Sequence, residues 1–453
     1  SANVILHTVS GLRLTEPFER KVTFKAKKRS FHGNTVILGD QWTHKHALHL
    51  VECTRKQRKN KMTTTVDIFH PAQEHILLRQ TVRNFVKEHV EPQALEHDQY
   101  ERFNLSLFRQ LGELGLLGIT VPEEYGGAGM DAVAAVIATE EISASDPGFC
   151  LAYLAHAMLF VNNFCRNANA DQRERYLAKV ISGEWVGGMC MTEPAAGTDV
   201  LGMKTQAVRR GDAYFITGRK MFITNGALDD TTLGDIFLVY AKTDRGLSSF
   251  VVEKGFPGFS LGQRLHGKTG MRASMTAELV FEECRVPVGN RLGEEGDSVL
   301  HMMRNLEIER VTLGAMSTGL AGRCVEDMTR YASERTAYGK PINNFGQIQR
   351  YIADSYAQYM AARTYLYNTA MKMDLDKPGH RVDSDGVKLV ATPMAKQVAD
   401  NAMQVLGGYG YFNEYVVERL WRDAKLLEIG GGTLEAHQKN ITKDLTRHME
   451  LIR

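Results

Sequence analysis

Apolar residues recur at three- and four-residue steps from about Pro71 to Val180. Leu78, Val82, Phe85, Val86 and Val90 mark one helical face, and Ala132, Val133, Val136 and Ile137 mark another. Pro92 is expected to close the first of these helices. The Gly- and Pro-rich stretch from Leu116 to Gly127 reads as a link between helices. Residues 191–300 change character, to short alternating runs such as Tyr214-Phe215-Ile216, Ile236 to Tyr240 and Ala277 to Phe281, punctuated by Gly and Asp-Asp turns. That pattern predicts strands. Helical periodicity returns over Leu300 to Tyr331, Ile348 to Met373 and Val387 to Leu406. The chain therefore divides into a helical region (63–190), a β region (191–300) and a second helical region (301–453): mainly α with a central β domain.

Residues 1–62 fit none of this. They carry 13 Lys/Arg against 4 Asp/Glu, a net of +9, so the other 391 residues sum to −7 although the whole chain is only +2. His44, His46 and His49 lie between two basic runs beside Trp42, and Met62 opens a stretch that reads like a natural start. Three readings stand: a mitochondrial presequence, against which Glu16, Glu19, Asp40 and Glu52 weigh; an upstream or appended segment, which the break in composition favours; and a specific binding arm. A solvated, flexible segment is the plainer expectation, since nothing fixes the three histidines as metal ligands. The acidic remainder offers no footprint for nucleic acid. The six cysteines are scattered without a CxxC pair, which disfavours a disulfide scaffold or zinc site and favours a reducing compartment. No transmembrane span is expected.

At 453 residues and 43% hydrophobic the chain can bury a large core. There is no strand–GxGxxG–helix unit and no GxxxxGK[ST] loop, so a Rossmann or P-loop cofactor site is disfavoured. The distinctive blocks lie elsewhere: Met191-Thr192-Glu193-Pro194-Ala195-Ala196-Gly197-Thr198-Asp199, Arg219 to Gly226, Glu334 to Gly339, Gly407 to Tyr411, and Glu428-Ile429-Gly430-Gly431-Gly432-Thr433. Together, in this order, they resemble the acyl-CoA dehydrogenases, and most of all the branched-chain type. The resemblance runs from about Phe69 to the C-terminus and implies a helical domain, a β barrel and a helical bundle, with FAD as cofactor.

It further implies that Met191 and Thr192 meet the flavin's pyrimidine edge, that Thr224 bonds near the hydride-accepting nitrogen, and that Phe222 covers the ring. The family usually has tryptophan at Phe222; the stacking surface is kept and the indole donor lost. Arg335 resembles the arginine that grips the diphosphate of a neighbouring subunit's flavin, as a planar guanidinium can. Phe345 and Gln349 match positions lining the neighbour's cofactor, while Gly346 stands where glutamine is usual. Gln404, Gly407 and Gly408 match the stretch against the adenosine diphosphate, and Thr433 and Glu435 the loop near the dinucleotide's middle. These contacts cross subunits in the family, so a homo-oligomer, a tetramer, is implied.

Desaturating an acyl thioester requires a carboxylate to take the α proton and donors to the thioester carbonyl, where negative charge builds. Most members of the family place that carboxylate immediately before a Gly-Thr, a position occupied here by Gly431. The branched-chain and long-chain types carry it on a helix just before an arginine, which matches Glu309 in Glu307-Ile308-Glu309-Arg310. Glu309 is the expected base, with a pKa raised by an apolar cleft, and Gly431 is expected to offer its amide to the carbonyl. Glu428 is the rival acid. Glu307 is expected near the pantetheine chain, Arg310 near cofactor or CoA phosphates, and Thr198 at the pantetheine arm in place of the usual serine. The acyl-CoA substrate is expected to be isovaleryl-CoA-like, its tail bounded by residues around Leu154 to Phe160. Alternatives are a longer, citronellyl-type thioester, a same-fold flavin oxidase or monooxygenase, and a cofactor-retaining structural paralogue. Electron transferring flavoprotein is the implied acceptor. A bacterial protein would be cytoplasmic and a eukaryotic one in the mitochondrial matrix.

Overall fold

A computed structural model describes residues 67–452. The basic segment, its three histidines and Cys53 lie outside the described residues. The helices of the first region follow the periodicity, and their starts are set by side-chain caps. Asn104, Asp131, Asp146 and Asn169 each accept a backbone N–H from the first turn of the helix that follows. Pro92 does not close its helix. Helix Gln73–Phe85 passes through a π turn, Val86–Val90, into helix Glu91–Gln99, and Pro92 falls in the first turn of that last piece. The wide turn resets the hydrogen-bond register, so the missing proline N–H is not needed.

Helix Pro147–Leu154 continues through a second π stretch, Ala155–Asn162, into Asn163–Asn167. Pro147–Asn167 is long and apolar enough to cross a membrane by length and composition alone. Most of it is buried inside the protein, and a core helix has the same apolar character.

The β region is one eight-stranded sheet in the order β6-β7-β3-β2-β4-β5-β8, with β1 paired to β4. The strands are β1 Gly187–Cys190, β2 Gln206–Arg210, β3 Ala213–Thr224, β4 Ile236–Thr243, β5 Gly246–Glu253, β6 Phe259–Arg264, β7 Thr276–Pro287 and β8 Arg291–Leu292. The β1–β4 pairing is parallel, and β3–β7 is antiparallel with register shifts at Ile216/Gly218 and Lys220/Ile223. The second helical region is built on the long helix Ser298–Glu334, packed by Gly346–Lys372 and Arg381–Leu406, then Val417–Leu427 and Leu434–Arg447. Ile308, Val311, Leu313, Ala315 and Met316 of the long helix join one core with Val133, Ile137, Phe149 and Leu154 of the first region and Phe237 and Val239 of the sheet. The middle of that helix is thereby held at the junction of all three regions.

Candidate active site

Glu309 sits on that junction. Its carboxylate is buried, and one oxygen, Oε2, has no hydrogen-bond partner. Burial pushes its pKa up, against the opposing pull of the Arg310 and Lys388 charges. The glycine loop lies directly against it. A Cβ placed on Gly431 would come 3.2 Å from Glu309 Oε1 and would overlap Leu313. Gly431 also has φ +66°, where a side chain is strained. A carboxylate cannot be rooted at Gly431 in this backbone, and the helix delivers one to the same place. The Gly431 amide makes no hydrogen bond among the described residues. Glu428, the rival acid, is tied to Lys425 at 2.6 Å.

Two neighbours have partners within the fold. The Glu307 carboxylate accepts the backbone N–H groups of Gly379 (3.3 Å) and His380 (3.0 Å), so it anchors a loop. Arg310 is buried, its Nε 3.1 Å from Asp385 Oδ1, while its Nη1 has no hydrogen-bond partner among the described residues. Asp385 in turn meets His437 Nδ1 at 2.6 Å, and His437 Nε2 lies 3.1 Å from the Gly432 carbonyl. Lys388, fully buried, donates to the carbonyls of Gly430 (2.5 Å) and Gly432. Sequence reasoning missed Asp385, Lys388 and His437. A signal existed for the lysine, a single charge in the run Val387-Lys388-Leu389-Val390-Ala391.

The groups matched to the flavin fall into two sets. Met221 N–H donates to the Thr192 carbonyl (2.9 Å), which brings Met191 and Thr192 beside Phe222 and Thr224. Phe222 stands at the β3 bulge with φ +60°, and its ring is 66% exposed. An L-residue with a large apolar ring held there is strained and unsatisfied, as expected of a surface awaiting a flat apolar partner. Beneath it, buried Lys220 donates to Met191 O and Glu193 Oε1, both at 3.0 Å. Glu193 also accepts from Lys204 and Thr205 N–H and from the Thr205 hydroxyl. Burial alone would raise its pKa, but these donors and the Lys220 ammonium hold it at about 2. Asn225, φ +62°, locks the next turn by donating to Ala152 and Gly187 carbonyls. Lys220, Glu193 and Asn225 were quoted in the blocks without a role. Thr198 is exposed on the loop that follows.

The second set lies on the exposed surface of the C-terminal bundle. Arg335 is exposed and stacks over Tyr409 at 6.0 Å, joining the 335–349 segment to the Gly407-Gly408 turn. Phe345 meets Tyr338 edge-on at 6.1 Å, Gln349 donates to Asn343 O, and Gln404 is exposed. Gly346 opens its helix without a neighbour at its would-be Cβ. Thr433 caps the last helix by accepting from Ala436 N–H, with Glu435 exposed beside it.

Three family models match the chain in succession from residue 72 to residue 446. The acyl-CoA dehydrogenase N-terminal domain covers residues 72–184, the middle domain 188–284 and the C-terminal domain 299–446. The chain belongs to the acyl-CoA dehydrogenase family. It is 43% identical over 378 residues to a mitochondrial isovaleryl-CoA dehydrogenase of Pongo abelii, covering 81% of this chain and 87% of that one. It is 40% identical to a mitochondrial 2-methylacyl-CoA dehydrogenase of Solanum tuberosum, covering 82% and 90%. The solved butyryl-CoA dehydrogenase of Megasphaera elsdenii superposes with a TM-score of 0.78 at 33% identity, covering 85% of this chain and all of that one. The protein is thus an oxidoreductase of the acyl-CoA dehydrogenase type, and its fold implies FAD. The bulge-held Phe222 and the partnerless Glu309 oxygen fit a flavin and an acyl thioester.

Proposed function

We propose that the protein desaturates a short branched acyl-CoA, isovaleryl-CoA first among them, with Glu309 as the base. The observation that carries this reading is the contact between the Glu309 carboxylate and Gly431, the position from which most of the family supplies its acid. Glu309 takes the α proton; its raised pKa makes it a better acceptor than an exposed glutamate. The Gly431 amide faces the thioester carbonyl and steadies the charge that builds there. Met191, Thr192, Phe222 and Thr224 hold the flavin ring from one subunit. Arg335, Phe345, Gln349, Gln404, Gly407 and Gly408 reach the dinucleotide from its neighbour, with Thr433 and Glu435 near its middle. Bound FAD supplies the acceptor for the hydride that leaves the β carbon. Thr198 serves the pantetheine arm.

A homotetramer accounts for the exposed aromatic face around Tyr338, Tyr411 and Phe412. Electron transferring flavoprotein is the proposed oxidant of the reduced enzyme. The isovaleryl- and 2-methylacyl-specific names of the relatives support a branched substrate. Anaerobic titration of the holoenzyme with isovaleryl-, butyryl- and citronellyl-CoA, following flavin bleaching, tests this. Fastest bleaching by isovaleryl-CoA is expected. Preference for the citronellyl thioester would move the substrate class, and no bleaching by any acyl-CoA would overturn the dehydrogenase reading in favour of a same-fold oxidase.

A further inference from the structure

Lys388 carries a charge in the interior of the helical bundle with no carboxylate in direct contact among the described residues. Such burial costs several kcal/mol unless the ammonium is fully engaged. Its partners are two carbonyls, those of Gly430 and Gly432, which flank Gly431. In a trans peptide the C=O and N–H point in opposite directions. With the Gly430 carbonyl drawn to Lys388, the Gly431 N–H is turned away from it, to the side left without an intramolecular acceptor. The same ammonium is one of two cations that bear on Glu309, and the other, Arg310, is engaged by Asp385.

We propose that Lys388 is a positioning residue: it clamps the Gly430–Gly432 loop so that the Gly431 amide faces substrate, and it brings a positive charge to bear on Glu309. This rests on the reading of Glu309 as the base. The groups that bear on Glu309 are Arg310 on its own helix, Lys388 on helix Arg381–Leu406 and Tyr240 on β4; Lys388 in turn feels Glu309, Arg310 and Asp385, and Asp385 also meets His437 on the last helix. Burial lowers Lys388 to about 8, against the raising influence of Glu309. The sign follows. Removal of the lysine by mutation raises the carboxyl's proton affinity and frees the loop, whereas deprotonation at high pH removes the charge alone and leaves two N–H donors for the two carbonyls.

The test compares wild type, Lys388→Met and Lys388→Arg holoenzymes by flavin reduction across pH. A second readout, independent of hydride transfer, is exchange of the substrate's α hydrogen into D2O. Lys388→Met is expected to slow both roughly tenfold or more with KM little changed, and to move the acid limb up by about one unit. Lys388→Arg should keep the acid limb near its wild-type position. Unchanged rate and acid limb in Lys388→Met would overturn the proposal. Should that variant not fold, Lys388→Gln, a neutral donor, takes its place: an unmoved acid limb there overturns the proposal equally. Glu309→Gln runs alongside: a normal rate there defeats the base reading itself, whereas a slow Glu309→Gln with an indifferent Lys388→Met defeats only the lysine's role.

Discussion

The protein buries two lysines near two glutamates, and the two sites differ in how completely each glutamate is satisfied. In the β region Lys220 bonds Glu193 directly, and that carboxylate collects three further donors from Lys204 and Thr205. In the helical bundle Lys388 spends its hydrogen bonds on the glycine loop, and Glu309 keeps an oxygen with no partner. One carboxyl is held down at about 2 and the other is pushed up by burial. A saturated carboxylate cannot take a proton at neutral pH and serves as scaffold under Met191. An unsaturated one, kept dry against Gly431, is prepared for chemistry.

Each site can be broken in its own currency. Lys220→Met should destabilise the protein by about 3 kcal/mol, because it strands a buried charge; denaturant unfolding of the holoenzyme reads this, and the acid limb of its pH–rate profile should not move. Gly431→Ala should slow flavin reduction roughly tenfold to a hundredfold by displacing Leu313 and Glu309 and straining the loop, with a smaller loss of stability. Phe222→Ala should weaken flavin binding about tenfold, the worth of one aromatic stack, measured by flavin release on dilution. A further effect appears in acid. A folded pKa below the ordinary glutamate value stabilises the protein above that value, and the gain drains away as pH falls from about 4.5 towards 2. Glu193→Gln should flatten this part of the stability–pH curve, which acid unfolding followed by circular dichroism measures.

What was legible in the chain follows from how local the signal is. The long helices carry apolar residues every three or four positions, so Ser298–Glu334 and Arg381–Leu406 could be outlined from sequence. Glu309 was found through a motif of adjacent residues and a missing acid at Gly431. Lys388, Asp385 and His437 were not, because their partners are 42, 75 and 52 positions away and only folding brings them together. Pro92 misled for a related reason, since a π turn that shifts the register leaves no composition mark. The partners that Glu307 and Arg310 have in the fold, the 379–380 amides and Asp385, are likewise distant in the chain and left no mark in their motif.

The central claim is that one buried carboxylate on the long helix takes the α proton. Glu309→Gln keeps the shape and removes the base, so the direct measurement is rapid anaerobic mixing of that holoenzyme with isovaleryl-CoA. The account predicts that the variant still binds the thioester but reduces its flavin at least about 100-fold more slowly than wild type. Reduction at a near-normal rate would contradict it.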